Sequence, residues 1–219
     1  LLLTSIIIIV SCSFIRGQYV TLPPSGDNQH SEVAQWIGPV KILISYNSPN
    51  VAGPGGQDRK GKIWGGAAHY GLATFPIGNK NIPWRAGANE NTTISFSHDV
   101  QINGKPLSAG TYGFLIIVEK EKPWTLIFSK TNSAWGSFWY EPGNDALRIE
   151  ATPTDAPHTE WLTYGFDERE PARTVAYLQW DDKRVSFEIK VPDINAIYLA
   201  SIREDLKGSK GMIYYNWLW

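Results

Sequence analysis

The sequence predicts an all-β fold: an antiparallel β-sandwich of jelly-roll-like type with a C-terminal helix. Three observations carry that expectation. Apolar and polar residues alternate over 92–97 and 184–191, the period-two pattern of half-buried strands. Residues 112–118 form a nearly continuous apolar run, the mark of a central strand covered on both faces. Candidate strands recur at spacings of about 10 to 13 residues, with turn signals and no helical pattern between them. The composition agrees, because 10 Trp, 10 Tyr and 8 Phe stand beside a single Met, and aromatics favour pleated, half-buried surfaces.

In chain order, residues 1–15 are uncharged and mostly apolar, too short to span a bilayer comfortably. Residues 1–17 therefore read as a secretory leader, with Gly17 before the cleavage point and a mature chain beginning at Gln18. A competing reading takes Ile9-Val10-Ser11-Cys12 as a lipobox, with Cys12 acylated as an anchor. Residues 18–32 are Pro/Gly/polar and suit an extended lead-in. The sandwich domain is expected over 33–192. Its first strand, 40–46, puts Val40, Ile42, Ile44 and Tyr46 on one face. Roughly 44 irregular residues follow, and loops beyond about 15 residues carry function or hidden elements.

Thr92, Ile94 and Phe96 then alternate with Thr93, Ser95 and Ser97. Asn103-Gly104 marks a tight hairpin, because both positions accept positive φ. Further strands are expected at 124–130, 145–151, 158–166, 173–180 and 184–191, for at least about seven in all. Ile94, Phe96, Leu115, Ile117, Leu126, Phe128, Phe187 and Ile189 are the expected core. After Pro192, Asp193 can cap a helix whose stripe is Ile194, Tyr198, Leu199, Ile202 and Leu206. The segment 193–219 ends in the apolar MIYYNWLW and reads as a helical extension cut short.

Lys+Arg number 20 against Asp+Glu 21, which leaves no basic excess to suit nucleic acid. The only cysteine is Cys12, so the folded part has neither disulfide nor thiol nucleophile. Gly56 to Lys62 spells GxxxxGK, but Ile63 replaces the Ser/Thr and no strand–helix context surrounds it, so no phosphate loop is read there. His30, His69, His98 and His158 show no metal-ligand spacing, and there is no G-x-S-x-G elbow. Neither a metal nor a cofactor is expected.

The densest group of polar chemistry lies at the end of the long loop, in WRAGANE. Trp84, Arg85, Asn89 and Glu90, with Arg59 upstream, are the candidate binding residues. The guanidinium can fork onto a carboxylate while the amide and carboxylate orient a hydroxyl. The structural counterpart is a latch in which Arg85 pairs with Glu90 and braces the loop mouth; the residues alone leave both open, with the latch preferred. A rival hydrolytic reading uses Glu90 and His69 as acid/base groups. Trp135, Phe138, Trp139 and Tyr140 suit a core corner better than a sugar-stacking platform, with Trp139 and Tyr140 the more exposed pair.

Four motifs carry a resemblance: RKGKIWGG (59–66), WRAGANENTT (84–93), LSAGTYGFLII (107–117) and AWGSFWY (134–140). In this order they resemble a bacterial exported family, the domain-of-unknown-function family 2911, over roughly residues 20–206. His69 departs from the usual pattern of that family. The resemblance implies a secreted or periplasmic protein and implies no particular activity. The reading as a whole is a non-catalytic ligand-binding or envelope-associated domain with its polar site in the 50–90 loop. A small molecule or carbohydrate is its expected partner. The mature chain is expected to carry no transmembrane span, and the sequence assigns no oligomeric state.

Overall fold

The computed structural model describes residues 28–208. The leader expected at 1–17, Cys12 and the apolar MIYYNWLW lie outside the described residues. In chain order the first strands are β1 (Gln29–Ile37), β2 (Val40–Ser48), β3 (Ala52–Gly53), β4 (Gln57–Asp58), β5 (Thr93–Phe96) and β6 (Val100–Ile102). They are followed by β7 (Lys105–Leu107), β8 (Gly110–Ile117), β9 (Trp124–Ser129), β10 (Asp145–Ala151), β11 (Thr154–Asp167) and β12 (Arg173–Lys190). One sheet has the order β1-β2-β5-β8-β9-β10 and the other β11-β12-β6-β7, while β3 and β4 pair apart. All these strand pairings are antiparallel. The all-β sandwich is therefore the observed architecture.

The two large sheets meet through rings. Phe187 of β12 lies 5.6 Å from Phe114 of β8 and 5.7 Å from Phe128 of β9. Ile94, Phe96, Leu126 and Ile189 are buried in the same cluster. Leu115 and Ile117 are not. Because successive strand residues point to opposite faces, Leu115 joins Ile82, Ile127 and Tyr140 in a second cluster, and Ile117 is only partly buried against it. The apolar run at 112–118 is thus covered on both faces, by the second sheet inside and by loop residues outside.

Three differences from the sequence reading have simple causes. Part of the expected lead-in is strand: β1 starts at Gln29 and pairs along its whole length with β2. Its alternation is weak, and ladder hydrogen bonds rather than burial define it. The strands expected at 173–180 and 184–191 are one strand, interrupted only where Asp181 takes φ 51° and the pairing with β11 changes register. The helix α1 (Ile194–Gly208) is capped as expected, with Asp193 Oδ1 accepting the Ala196 N–H at 3.0 Å. However, only Ile194 and Ile197 pack on the core, whereas Tyr198, Leu199, Ile202 and Leu206 are exposed. At the Asn103-Gly104 turn both residues have positive φ, 46° and 77°, as a tight hairpin demands. Among the described residues no helix is long and apolar enough to cross a membrane.

Candidate functional site

The long segment between β2 and β5 is pinned to the sandwich at its polar backbone groups. Short β5 leaves the end of β8 unpaired on that side, and the loop fills the gap. Trp84 and Ile116 exchange both backbone hydrogen bonds at 2.9 Å, and the Gly71 N–H reaches Val118 O at 2.8 Å. Residues 49–51 continue past β2 onto the edge of β11, through Val51 N–H to Glu160 O at 2.7 Å and Leu162 N–H to Pro49 O at 2.9 Å.

The next clamps are charged. Asp181, a buried carboxylate, accepts the Gly61 N–H at 2.8 Å, and its Oδ1 lies 2.9 Å from His158 Nδ1. His158 Nε2 is 3.5 Å from Glu160, whose other oxygen accepts the Ala52 N–H at 2.8 Å. The Trp64 indole N–H donates to Asp182 at 3.1 Å. Gly61, the second glycine of GxxxxGK, thus spends its N–H on a carboxylate.

Trp84 and Arg85 are neighbours in extended chain, so their side chains leave on opposite faces of the first sheet. Trp84 enters the core between the sheets. It stacks on Trp180 at 6.0 Å and 13°, and meets Trp64 edge-on at 5.9 Å. A cleft of about 460 Å³ opens beside them, lined by Asn28, Asn50, Arg59, Trp84, Gly87 and Trp180 among others. Arg59 is held there by carbonyls alone: Nε donates to Val51 O at 3.1 Å and Nη2 to Asn50 O at 2.8 Å. Among the described residues no carboxylate lies within ion-pair distance of Arg59.

Arg85 points the other way. Its Nη1 donates to the Asn89 carbonyl at 2.7 Å, and its Cζ sits 4.9 Å from the centroid of the Phe138 ring. Gly136, at φ 62°, lies so close that a Cβ there would stand 2.3 Å from Arg85 Cζ. Burial pushes the Arg85 guanidinium below its ordinary pKa, and the Glu90 charge opposes that shift. Glu90 makes no ion pair with it. The expected Arg85–Glu90 latch is replaced by two separate ties: Arg85 to Asn89 O, and Glu90 to Asn47 Nδ2 at 2.9 Å. The reason is local. Ala86 and Asn89 both take positive φ, 52° and 55°, which folds the chain back so that a carbonyl meets the guanidinium. The left-handed conformation at Ala86 costs about 1–3 kcal/mol. Its carbonyl offsets part of this by accepting from Tyr164 OH at 2.7 Å and Thr92 Oγ1 at 3.1 Å.

A family model described as "Protein of unknown function (DUF2911)" matches residues 28–189. The chain belongs to the DUF2911 family. Comparison with curated proteins and with solved structures brings no match.

The DUF2911 domain thus divides the residues singled out by sequence. Arg59 and Trp84 share the cleft. Arg85 and the carbonyl of Asn89 lie toward residues 136–138, and Glu90 is exposed beside Asn47. His69 lies on the Arg85 side, joined to it through the Phe75 and Phe138 rings. Burial lowers the His69 pKa, hydrogen bonding to the Gly71 and Tyr70 backbone opposes that, and the Arg85 charge adds a smaller lowering. No hydrogen bond or ion pair joins His69 to Glu90. The cluster at 135–140 also divides. Tyr140 is buried and donates to Asp145 at 2.7 Å, whereas Trp135 and Trp139 are exposed. That reverses the expectation for Trp135 and Tyr140. The Asp181–His158–Glu160 chain was not read from the sequence as one group. A faint signal exists in the doubled acid Asp181-Asp182, which breaks an otherwise regular alternation.

Proposed function

We propose that this DUF2911 domain is a non-catalytic binding module whose ligand sits in the cleft beside Arg59. The observation that carries the reading is the state of that guanidinium. It lines an open, partly aromatic cleft, is oriented by two backbone carbonyls, and faces no carboxylate among the described residues. Clefts of this kind, apolar with a few placed polar groups, are the usual form of small-ligand sites. The chemistry suits a ligand with one anionic group for Arg59 and a flat apolar face for the Trp84 side, such as an acidic sugar or a small aromatic acid. The apolar leader at 1–17 supports an exported setting, where such ligands are met outside the cytoplasm.

Isothermal calorimetry and thermal shift with galacturonate, glucuronate, their neutral sugars and benzoate test the proposal. The acid members should bind and raise the melting temperature, since a native-state ligand stabilises by mass action. Arg59→Gln should abolish that response, read against the variant's own unliganded melt, because losing the two bonds to Val51 O and Asn50 O also lowers its stability by about 1–3 kcal/mol. Equal responses from the wild type and Arg59→Gln, or none from any acid, would sink it.

A further inference from the structure

On the outer face of the first sheet, away from the cleft, four side chains form one connected group. The His69 ring lies 6.1 Å from Phe75, Phe75 lies 5.7 Å edge-on to Phe138, and Phe138 carries the Arg85 guanidinium at 4.9 Å. Two polar features of this group are incomplete. Arg85 uses Nη1 on the Asn89 carbonyl, and neither Nε nor Nη2 has a hydrogen-bond partner or a carboxylate in ion-pair range among the described residues. His69 Nδ1 is buried without a hydrogen bond of normal geometry, and the Gly71 and Tyr70 backbone lies beside the ring. Buried charges are normally paired, and an orphaned buried nitrogen calls for an explanation.

The free edge of the guanidinium is its Nε–Nη2 side, one of the two edges that hold an oxyanion through parallel N–H donors. A neutral imidazole with its proton on Nε2, the ring nitrogen that the protein does not enclose, supplies a further donor. Phe75 is 42% exposed, so an apolar surface borders the same place. Gly136 leaves the guanidinium room that any side chain would take. We infer that Arg85 and His69 form a second binding site, for an oxyanion (carboxylate or phosphate) carried on a ligand whose apolar part rests against Phe75. It is separate from the Arg59 cleft, because Trp84 and Arg85 leave the chain on opposite faces.

Imidazole resonances read this site directly. The domain contains His30, His69, His98 and His158, and His69→Gln assigns the one that matters. Sodium benzoate and inorganic phosphate are titrated separately to about 10 mM at pH 7, enough to fill most of a millimolar site. The His69 signals should move with at least one probe while those of His30, His98 and His158 stay. A response to benzoate alone assigns a carboxylate with an aromatic body, and a response to phosphate alone assigns a phosphate. Arg85→Gln, checked for folding by its amide spectrum, should weaken the response at least about tenfold, the equivalent of one charged hydrogen bond. Arg59→Gln should leave it unchanged. Immobile His69 signals with both probes, parallel movement of all four histidines, or an undiminished response in folded Arg85→Gln would overturn the assignment. If Arg85→Gln does not fold, wild-type selectivity for His69 and its persistence in Arg59→Gln decide alone.

Discussion

Removing the Arg85 side chain separates two accounts of the WRAGANE loop. The structure gives Arg85 two attachments, a hydrogen bond to Asn89 O at 2.7 Å and a contact with the Phe138 ring at 4.9 Å, and no ion pair with Glu90. A hydrogen bond from a charged donor contributes about 1.5–3 kcal/mol. The cation–ring contact adds about 0.5–1 kcal/mol, more when desolvated. Relief of an uncompensated, partly desolvated charge offsets some of this. Arg85→Ala should therefore cost about 2–3 kcal/mol of unfolding free energy. Glu90→Ala should cost under about 1 kcal/mol, because the carboxylate is exposed. The decisive quantity is the coupling. Urea melts followed by tryptophan fluorescence on both single variants and the double should give an Arg85–Glu90 coupling within about 0.5 kcal/mol of zero. The parallel cycle with Phe138→Leu should give about 1 kcal/mol. A coupling with Glu90 of about 1.5 kcal/mol or more would show a direct pair in solution and refute the reasoning.

Two further outcomes follow from buried polar groups. Burial, and then the bond to Asp145, raise the Tyr140 phenol above its ordinary pKa, and burial raises Tyr164 well above it. A raised folded pKa makes the unfolded chain lose its proton first. These tyrosines thus contribute stability that is complete below about pH 10 and is lost as pH rises toward the folded values. Urea melts from pH 8 to 11 should show a fall that is shallower in Tyr140→Phe and Tyr164→Phe; an unchanged slope in both would contradict this. At the β12 bulge, Asp181→Ala should cost about 1–3 kcal/mol by stranding the Gly61 N–H and the His158 ring. Asp181→Asn should cost less, since asparagine keeps an acceptor and tolerates positive φ. Hydrogen exchange at Gly61 checks this, and equal acceleration in both variants would count against the bulge as the anchor.

The sequence by itself determined the class of fold, because burial on one face of a pleated chain writes its own period. Ile94, Phe96, Phe187 and Ile189 alternate with polar residues and are all buried. The same local physics made the Asn103-Gly104 turn and the Asp193 cap legible, since each depends on residues within three positions. What tertiary structure alone decided was which neighbours in the sequence become neighbours in space. WRAGANE reads as one group, yet Trp84 joins Trp64 and Trp180 inside the sandwich while Arg85 meets Phe138 on the outer face. The alternation of side chains in extended backbone separates them once Trp84 pairs with Ile116, and nothing in the spacing announces that pairing. Arg85 takes a carbonyl instead of Glu90 because Ala86 and Asn89 adopt left-handed backbone, a conformation held by Tyr164 from 78 residues away. His158 and Asp181 likewise meet across a strand pair whose register shifts, so no fixed spacing could foretell the contact. Local periodicity depends on the chain alone, whereas a site is assembled by long-range pairing, and only the folded molecule carries that information.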